Sequence, residues 1–86
     1  MDIIINGFAG VYTVQNDGTL GDDWGNILIY YPVNEDERQQ YDPDDLYDGN
    51  LYITEINDPM MVMDYPNADY LKVGVLDEHK IQYKKI

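Results

Sequence analysis

The sequence predicts a mostly β fold, α+β at most: a single small antiparallel sheet or barrel of about five to seven strands with at most one short helix. Apolar and polar residues alternate over short segments, which is typical of half-buried strands. Asn, Asp, Gly and Pro separate these segments and favour tight turns. Because 86 residues leave room for one core, residues 1–86 are expected to form one domain.

Seven segments are predicted to form strands, and strands adjacent in sequence are expected to pair antiparallel. They are residues 3–5, 8–15, 26–31, 51–56, 60–65, 70–76 and 81–85. Turn residues lie between several of them. These turns are Asn16-Asp17-Gly18, Asn57-Asp58-Pro59, Pro66-Asn67 and Asp77-Glu78-His79, the last of which is predicted to close the final hairpin.

Segment 34–50 differs from the rest, because it lacks apolar periodicity and holds seven acids and one Arg. Asn34 precedes three acids, which suits a helix N-cap with Glu37 at the third helical position. One short helix is therefore predicted to begin at Asn34, and Pro43 is expected to end it.

The charge is strongly negative, at −12, with 17 acids against 5 basic residues. Residues 1–71 hold 15 of the acids and a single base, Arg38. Such a surface repels nucleic acid and anionic membranes, so neither is expected to bind directly. Solubility or adaptation to high salt would also explain acidity, but clustered Asp interleaved with Tyr favours a cationic partner.

The residue inventory argues against catalysis. The chain has no Ser and no Cys, and its one His, His79, lies in a predicted turn, so no nucleophile stands beside an oriented base. Residues 44–55 match an EF-hand loop at four positions, but Leu46 occupies a ligand position and Pro43 precludes a preceding helix. We expect no enzyme, cofactor or metal site. Asp2 near the start and the lack of a long apolar run predict a soluble cytoplasmic protein.

Asp stands next to Tyr at four places, and nine Tyr in all is a high number for this length. The pairs are Tyr41-Asp42, Tyr47-Asp48, Asp64-Tyr65 and Asp69-Tyr70, with Asp22-Asp23-Trp24 as a related run. Tyr is enriched at binding hot spots. Carboxylates interleaved with rings therefore resemble phosphates interleaved with bases.

Three stretches resemble the small acidic DNA-mimic inhibitors of phages and mobile elements, which include anti-restriction proteins, anti-CRISPR proteins and, as the nearest group, the uracil-DNA glycosylase inhibitors. Residues 27–32 and the acids that follow are similar to that family's apolar strand, proline and acidic helix. Residues 60–70 are similar to its Met-bearing strand and acidic turn. Residues 72–78 are similar to its last hairpin. Gly25-Asn26-Ile27 replaces the family's Glu-Ser-Ile, and strands are predicted in place of its N-terminal helix. The resemblance implies an acidic edge in the partner's DNA groove and a Met-lined pocket gripping an apolar side chain.

The resulting hypothesis is a non-catalytic inhibitor that blocks the nucleic-acid channel of a basic DNA- or RNA-binding protein, such as a nuclease, glycosylase or CRISPR effector of a bacterial host cell. The alternative is an acidic interaction module or structural subunit without mimicry. Met61 and Met63 are expected to share one face of their strand. The candidate partner-binding residues are Asp22, Asp23, Glu35, Asp36, Glu37, Asp42, Asp44, Asp45, Tyr47, Asp48, Met61, Met63, Asp64 and Tyr65.

Overall fold

The computed structural model describes residues 1–65 and 67–86, and it confirms a mostly β, antiparallel fold. Its eight short strands join one curled sheet. In chain order they are β1 (Asp2–Ile5), β2 (Val11–Val14), β3 (Leu20–Gly21), β4 (Ile27–Pro32), β5 (Leu46–Tyr47), β6 (Leu51–Ile56), β7 (Asp69–Tyr70) and β8 (Tyr83–Lys85). Two short α-helices, α1 (Glu35–Arg38) and α2 (Val73–Glu78), exceed the single helix that was expected.

The strand order is β5-β6-β4-β3-β2-β1-β8, and β7 pairs with β4 as well. The longest ladder joins β4 to β6, from Ile27 opposite Ile56 to Pro32 opposite Leu51. At about 3.4 Å per residue these two ends lie roughly 17 Å apart. The connection 33–50 leaves from one end of the ladder, whereas loop 22–26 and residues 57–58 lie at the other.

The inner face of the sheet buries the main core. Side chains that alternate along β1, β4 and β6 pack with α2, whose Leu76 is fully buried. Tyr47, near the β5 edge, donates a hydrogen bond to the carbonyl of Asn6 at the end of β1. Because β1 pairs with the opposite edge strand β8, this contact joins the two sides of the curl.

The outer face of β4 and β6 is buried as well, at Ile29, Tyr31, Val33 and Ile56. The connection from β6 to β7, which includes a 3₁₀ helix at Pro59–Asp64, runs across it. The ring of Tyr65 stacks on that of Tyr31, with centroids 5.5 Å apart. The sheet therefore has apolar contacts on both faces.

The prediction of a strand at 60–65 is wrong, because this segment is the 3₁₀ helix. Asp58 caps that helix by accepting a hydrogen bond from the Met60 N–H at 3.0 Å, and Pro59 occupies the first turn. Proline lacks an N–H for a ladder but suits a helical first turn. Of the predicted turn that follows, Pro66 lies outside the described residues, and Asn67 has a φ of 66°.

The predicted strand 70–76 is also wrong beyond its first residue. β7 pairs with β4 at Ile29 and Tyr30; after the Leu71 N–H donates to the Leu28 carbonyl, the chain passes to Thr19, which Lys72 meets in an isolated bridge. The chain then leaves the ladder and forms α2. The predicted last hairpin is wrong for the same reason: residues 77–78 end α2, and His79 is its C-cap.

Helix α1 begins as predicted after Asn34 but ends at Arg38, and Pro43 starts a 3₁₀ turn, Pro43–Asp45, instead of ending the helix. None of the helices in the described chain is long and apolar enough to cross a membrane.

Candidate partner-binding surface

We call the connection 33–50 the acid end of the β4–β6 ladder, because it displays seven carboxylates. All seven of these residues are exposed. They are Glu35, Asp36 and Glu37 on α1, Asp42, Asp44 and Asp45 in and before the 3₁₀ turn, and Asp48 after β5. With Tyr47, this one connection holds eight of the fourteen predicted site residues.

Local hydrogen bonds set the start of both helical turns at the acid end. Asn34 Oδ1 accepts from the Glu37 N–H at 2.8 Å, and Asn34 Nδ2 donates to Glu37 Oε1 at 2.7 Å. Asp42 Oδ1 accepts from the Asp44 N–H at 3.1 Å. Acids are favourable in these first turns because unpaired backbone N–H groups carry partial positive charge.

Two contacts between residues that are distant in sequence hold the same connection in place. Arg38 Nε donates to the Gly49 carbonyl at 2.6 Å. Asp48 and Gly49 have φ values of 53° and 78°, and a Cβ at Gly49 would lie 2.9 Å from Arg38 Nη2, so this turn favours glycine. Asp48 Oδ2 lies 2.7 Å from Nδ1 of half-buried His79. His79 therefore links α2 to the turn after β5.

Tyr47 makes a third contact that holds this connection in place, and it is half-buried instead of exposed to a partner. Its ring packs against the core, its Oη donates to the Asn6 carbonyl at 2.8 Å, and burial raises the pKa of its phenol, with the Asp45 charge as a smaller cause. A Cβ at Gly7, where φ is 94°, would lie 2.6 Å from Tyr47 Oη. Gly7 therefore leaves the space that Tyr47 needs.

The four Tyr–Asp pairs share one arrangement: each Asp is exposed and each Tyr is half-buried. The Tyr41 ring centroid lies 4.8 Å from that of Tyr52, and Tyr41 Oη lies 3.1 Å from Tyr31 Oη. Tyr65 stacks on Tyr31. The Tyr rings thus attach the chain to the sheet, and the neighbouring carboxylates face solvent. This division of roles differs from the expected surface of mixed rings and acids.

The opposite end of the ladder, which we call the tryptophan end, is the loop 22–26. Asp22 Oδ1 accepts from the N–H groups of Trp24 and Asn26, each at 2.9 Å, and Asp22 Oδ2 accepts from Asn26 Nδ2 at 2.8 Å. The bond from the Asn26 side chain is the main reason that the pKa of Asp22 is lowered. Gly25, with φ at 84°, completes the turn.

Trp24 at the tip of this loop is 89% exposed, and the sequence-based site omits it. Large aromatic side chains are normally mostly buried. The signal in the sequence was position: Trp24 lies between two Asp and a Gly, outside any alternating segment. Asp23 beside it is exposed too.

Tyr12 lies in the core near this loop. Its Oη donates to Glu55 Oε2 at 3.1 Å. Burial, followed by the bond to Glu55, raises the pKa of Tyr12 to about 12, and the Asp22 charge contributes. The hydroxyl therefore stays protonated and keeps its bond to the carboxylate over a wide pH range.

The methionines do not share faces as predicted. Met60 and Met63 are 72% and 79% exposed, whereas Met61 is half-buried. A 3₁₀ helix has three residues per turn, so positions 60 and 63 lie on one side. The expected pairing of Met61 with Met63 is wrong, and the exposed pair lies on a helix instead of lining a strand. Asp64 is exposed beside them.

Within residues 1–65 and 67–86, no three His, Asp or Glu side chains are grouped so that they could hold a metal ion. The EF-hand match at 44–55 runs into β6, and its twelfth residue, Glu55, bonds to Tyr12. Comparison of the chain with protein-family models, with curated proteins and with solved structures finds no significant match.

Proposed function

We propose that the chain is a non-catalytic inhibitor that occupies the nucleic-acid channel of a basic DNA- or RNA-binding enzyme in a bacterial cytoplasm. The observation that carries this proposal is the arrangement of the acid end. Seven exposed carboxylates stand on a connection whose Tyr rings and caps attach it to the sheet. A preorganised array loses little entropy on binding, unlike a flexible acidic tail.

Charge density supports the same proposal. The longest axis of the molecule is 36 Å. A DNA duplex of that length carries roughly 21 phosphates, at about one charge per 1.7 Å. The chain carries a net charge of −12, so a channel built for DNA would meet a field of the same sign and order of magnitude.

The test is displacement of fluorescent DNA from a panel of purified bacterial enzymes: a nuclease, a DNA glycosylase, a DNA methyltransferase and a CRISPR effector. Neutralising three acid-end residues, Glu35→Gln, Asp36→Asn and Asp45→Asn, should slow association by roughly tenfold or more, because steering follows the local field. These residues make no side-chain hydrogen bond in the described chain, so thermal stability should hold.

The matched control removes the same charge elsewhere, with Asp2→Asn, Asp69→Asn and Glu78→Gln. It should have a clearly smaller effect. Displacement should also weaken steeply between about 50 and 200 mM salt. A panel enzyme that binds the chain and its DNA together, with unchanged affinities, would instead support the interaction module.

A further inference from the structure

We propose that Trp24 acts as a surrogate for an extruded base, so that the partner is an enzyme that takes a nucleotide out of the stack. This inference rests on the proposed function and narrows its partner class. The observation is an indole that is 89% exposed at the tip of a loop in which one carboxylate accepts two backbone hydrogen bonds and one from a side chain.

The loop resists collapse onto the protein. Asp22 binds the N–H groups on both sides of the turn, so the segment that carries Trp24 is fixed while its ring points into solvent. A ring carried on a fixed backbone loses less entropy on binding than one on a mobile loop. An exposed tryptophan that served only the fold would instead be covered by neighbouring side chains.

The charges beside the ring fit a nucleotide. Asp22 keeps its negative charge because its pKa is lowered, and exposed Asp23 adds a second carboxylate. The loop thus presents a flat, fused ring system beside negative charge, which is the combination that a flipped nucleotide presents.

The proposal implies that the partner enzyme has a pocket for a flipped base. Enzymes that flip a base bind it between aromatic or apolar side chains in a tight pocket, and they hold the flanking phosphates with cationic groups. An indole offers a π face for such stacking, whatever the base that normally enters. A partner that contacts only the groove of duplex DNA has no such pocket, so Trp24 would add little to its affinity for this chain.

The experiment uses the intact chain and the same panel of enzymes, with affinity measured for Trp24→Ala, Trp24→Leu and Trp24→Phe. Against the glycosylase or methyltransferase, Trp24→Ala should weaken binding by roughly 10-fold to 100-fold, the range for loss of one stacked base. Trp24→Phe should recover part of this loss, and Trp24→Leu should recover less. Ile86→Ala, which removes an apolar side chain that is 71% exposed and lies outside the candidate site, is the matched control and should change little.

A direct readout is fluorine NMR on protein that contains fluorotryptophan, because the chain has one Trp. The single resonance should shift on binding to a base-flipping enzyme, and free nucleobase that fills the pocket should weaken wild-type binding but not that of Trp24→Ala. The base-surrogate proposal is refuted if DNA is displaced but Trp24→Ala binds as tightly as wild type. It is also refuted if Trp24→Ala loses as much affinity for the nuclease as for the base-flipping enzymes. The inhibitor proposal would stand in both cases. If no enzyme in the panel releases its DNA, both proposals fall.

Discussion

The acid end and the tryptophan end of the β4–β6 ladder differ in how their side chains are held. At the tryptophan end, one carboxylate organises a five-residue loop through contacts within four positions in sequence. At the acid end, Tyr47 reaches Asn6, 41 positions away, and Asp48 reaches His79, 31 positions away. One end is therefore a local structure, while the other depends on closure of the curled sheet.

This difference has consequences for function. The acid end presents many charges whose effect is summed and screened by salt. The tryptophan end presents one apolar ring, whose contribution is short-ranged and independent of salt. Under the proposed function, the first end would set the rate of association, and the second would set the lifetime of the complex.

The largest effect is expected from removing the Tyr47 contacts that hold the acid end against the rest of the sheet. Tyr47→Ala removes a half-buried ring from the core and the bond to Asn6, and should lower the free energy of unfolding by about 2–3 kcal/mol. Tyr47→Phe keeps the ring and should cost about 0.5–1.5 kcal/mol. Urea unfolding measures both. The amide exchange rate at residues 42–50 should rise in Tyr47→Ala, while the rate in loop 22–26 stays unchanged. An equal rise at both ends would show that the two ends are not held independently.

A smaller effect concerns the buried contact near the tryptophan end. The pKa of Tyr12 is raised above its ordinary value of 10.0 to about 12, so its contribution to stability is complete below pH 10 and is lost as the pH rises to about 12. Tyr12→Phe should be about 1 kcal/mol less stable at neutral pH. The difference in the free energy of unfolding between the two proteins should shrink and then reverse over that interval, because a pKa rise of about two units outweighs the difference at neutral pH; urea unfolding measures it. A constant difference would show that Tyr12 ionises equally in both states.

The smallest effect should be confined to the loop. The pKa of Asp22 is lowered below its ordinary value of 3.8, mainly by the Asn26 side chain, so the order that it maintains is present above pH 3.8 and is lost as the pH falls further. Asp22→Ala removes all three hydrogen bonds to Asp22, and should release Trp24 at neutral pH and lower its fluorescence anisotropy, with little change in unfolding. Asp23→Ala is the matched control, since Asp23 makes no side-chain hydrogen bond in the described residues; the same loss of anisotropy there would argue against a role for Asp22.

Prediction from the sequence succeeded where neighbours in the chain decide the structure. The cap at Asn34 and the strands around β4 and β6 were predicted because their signals are local. Trp24 was missed because a pattern identifies a turn but not the exposure of one ring within it. The role of the Tyr–Asp pairs was also missed, since the burial of Tyr41 depends on Tyr31 and Tyr52, which belong to other elements.

The sequence by itself determined a negative, mostly β protein with a dense acidic connection, because composition and two-residue periodicity carry that information. Only the tertiary structure decided how far the segment 70–76 stays extended. The segment pairs with β4 at Tyr70 and bridges Thr19 at Lys72, and then forms α2, which packs Leu76 into the core. Tertiary packing also decided that Tyr47 faces inward and Trp24 outward, since burial is set by what the rest of the chain brings near.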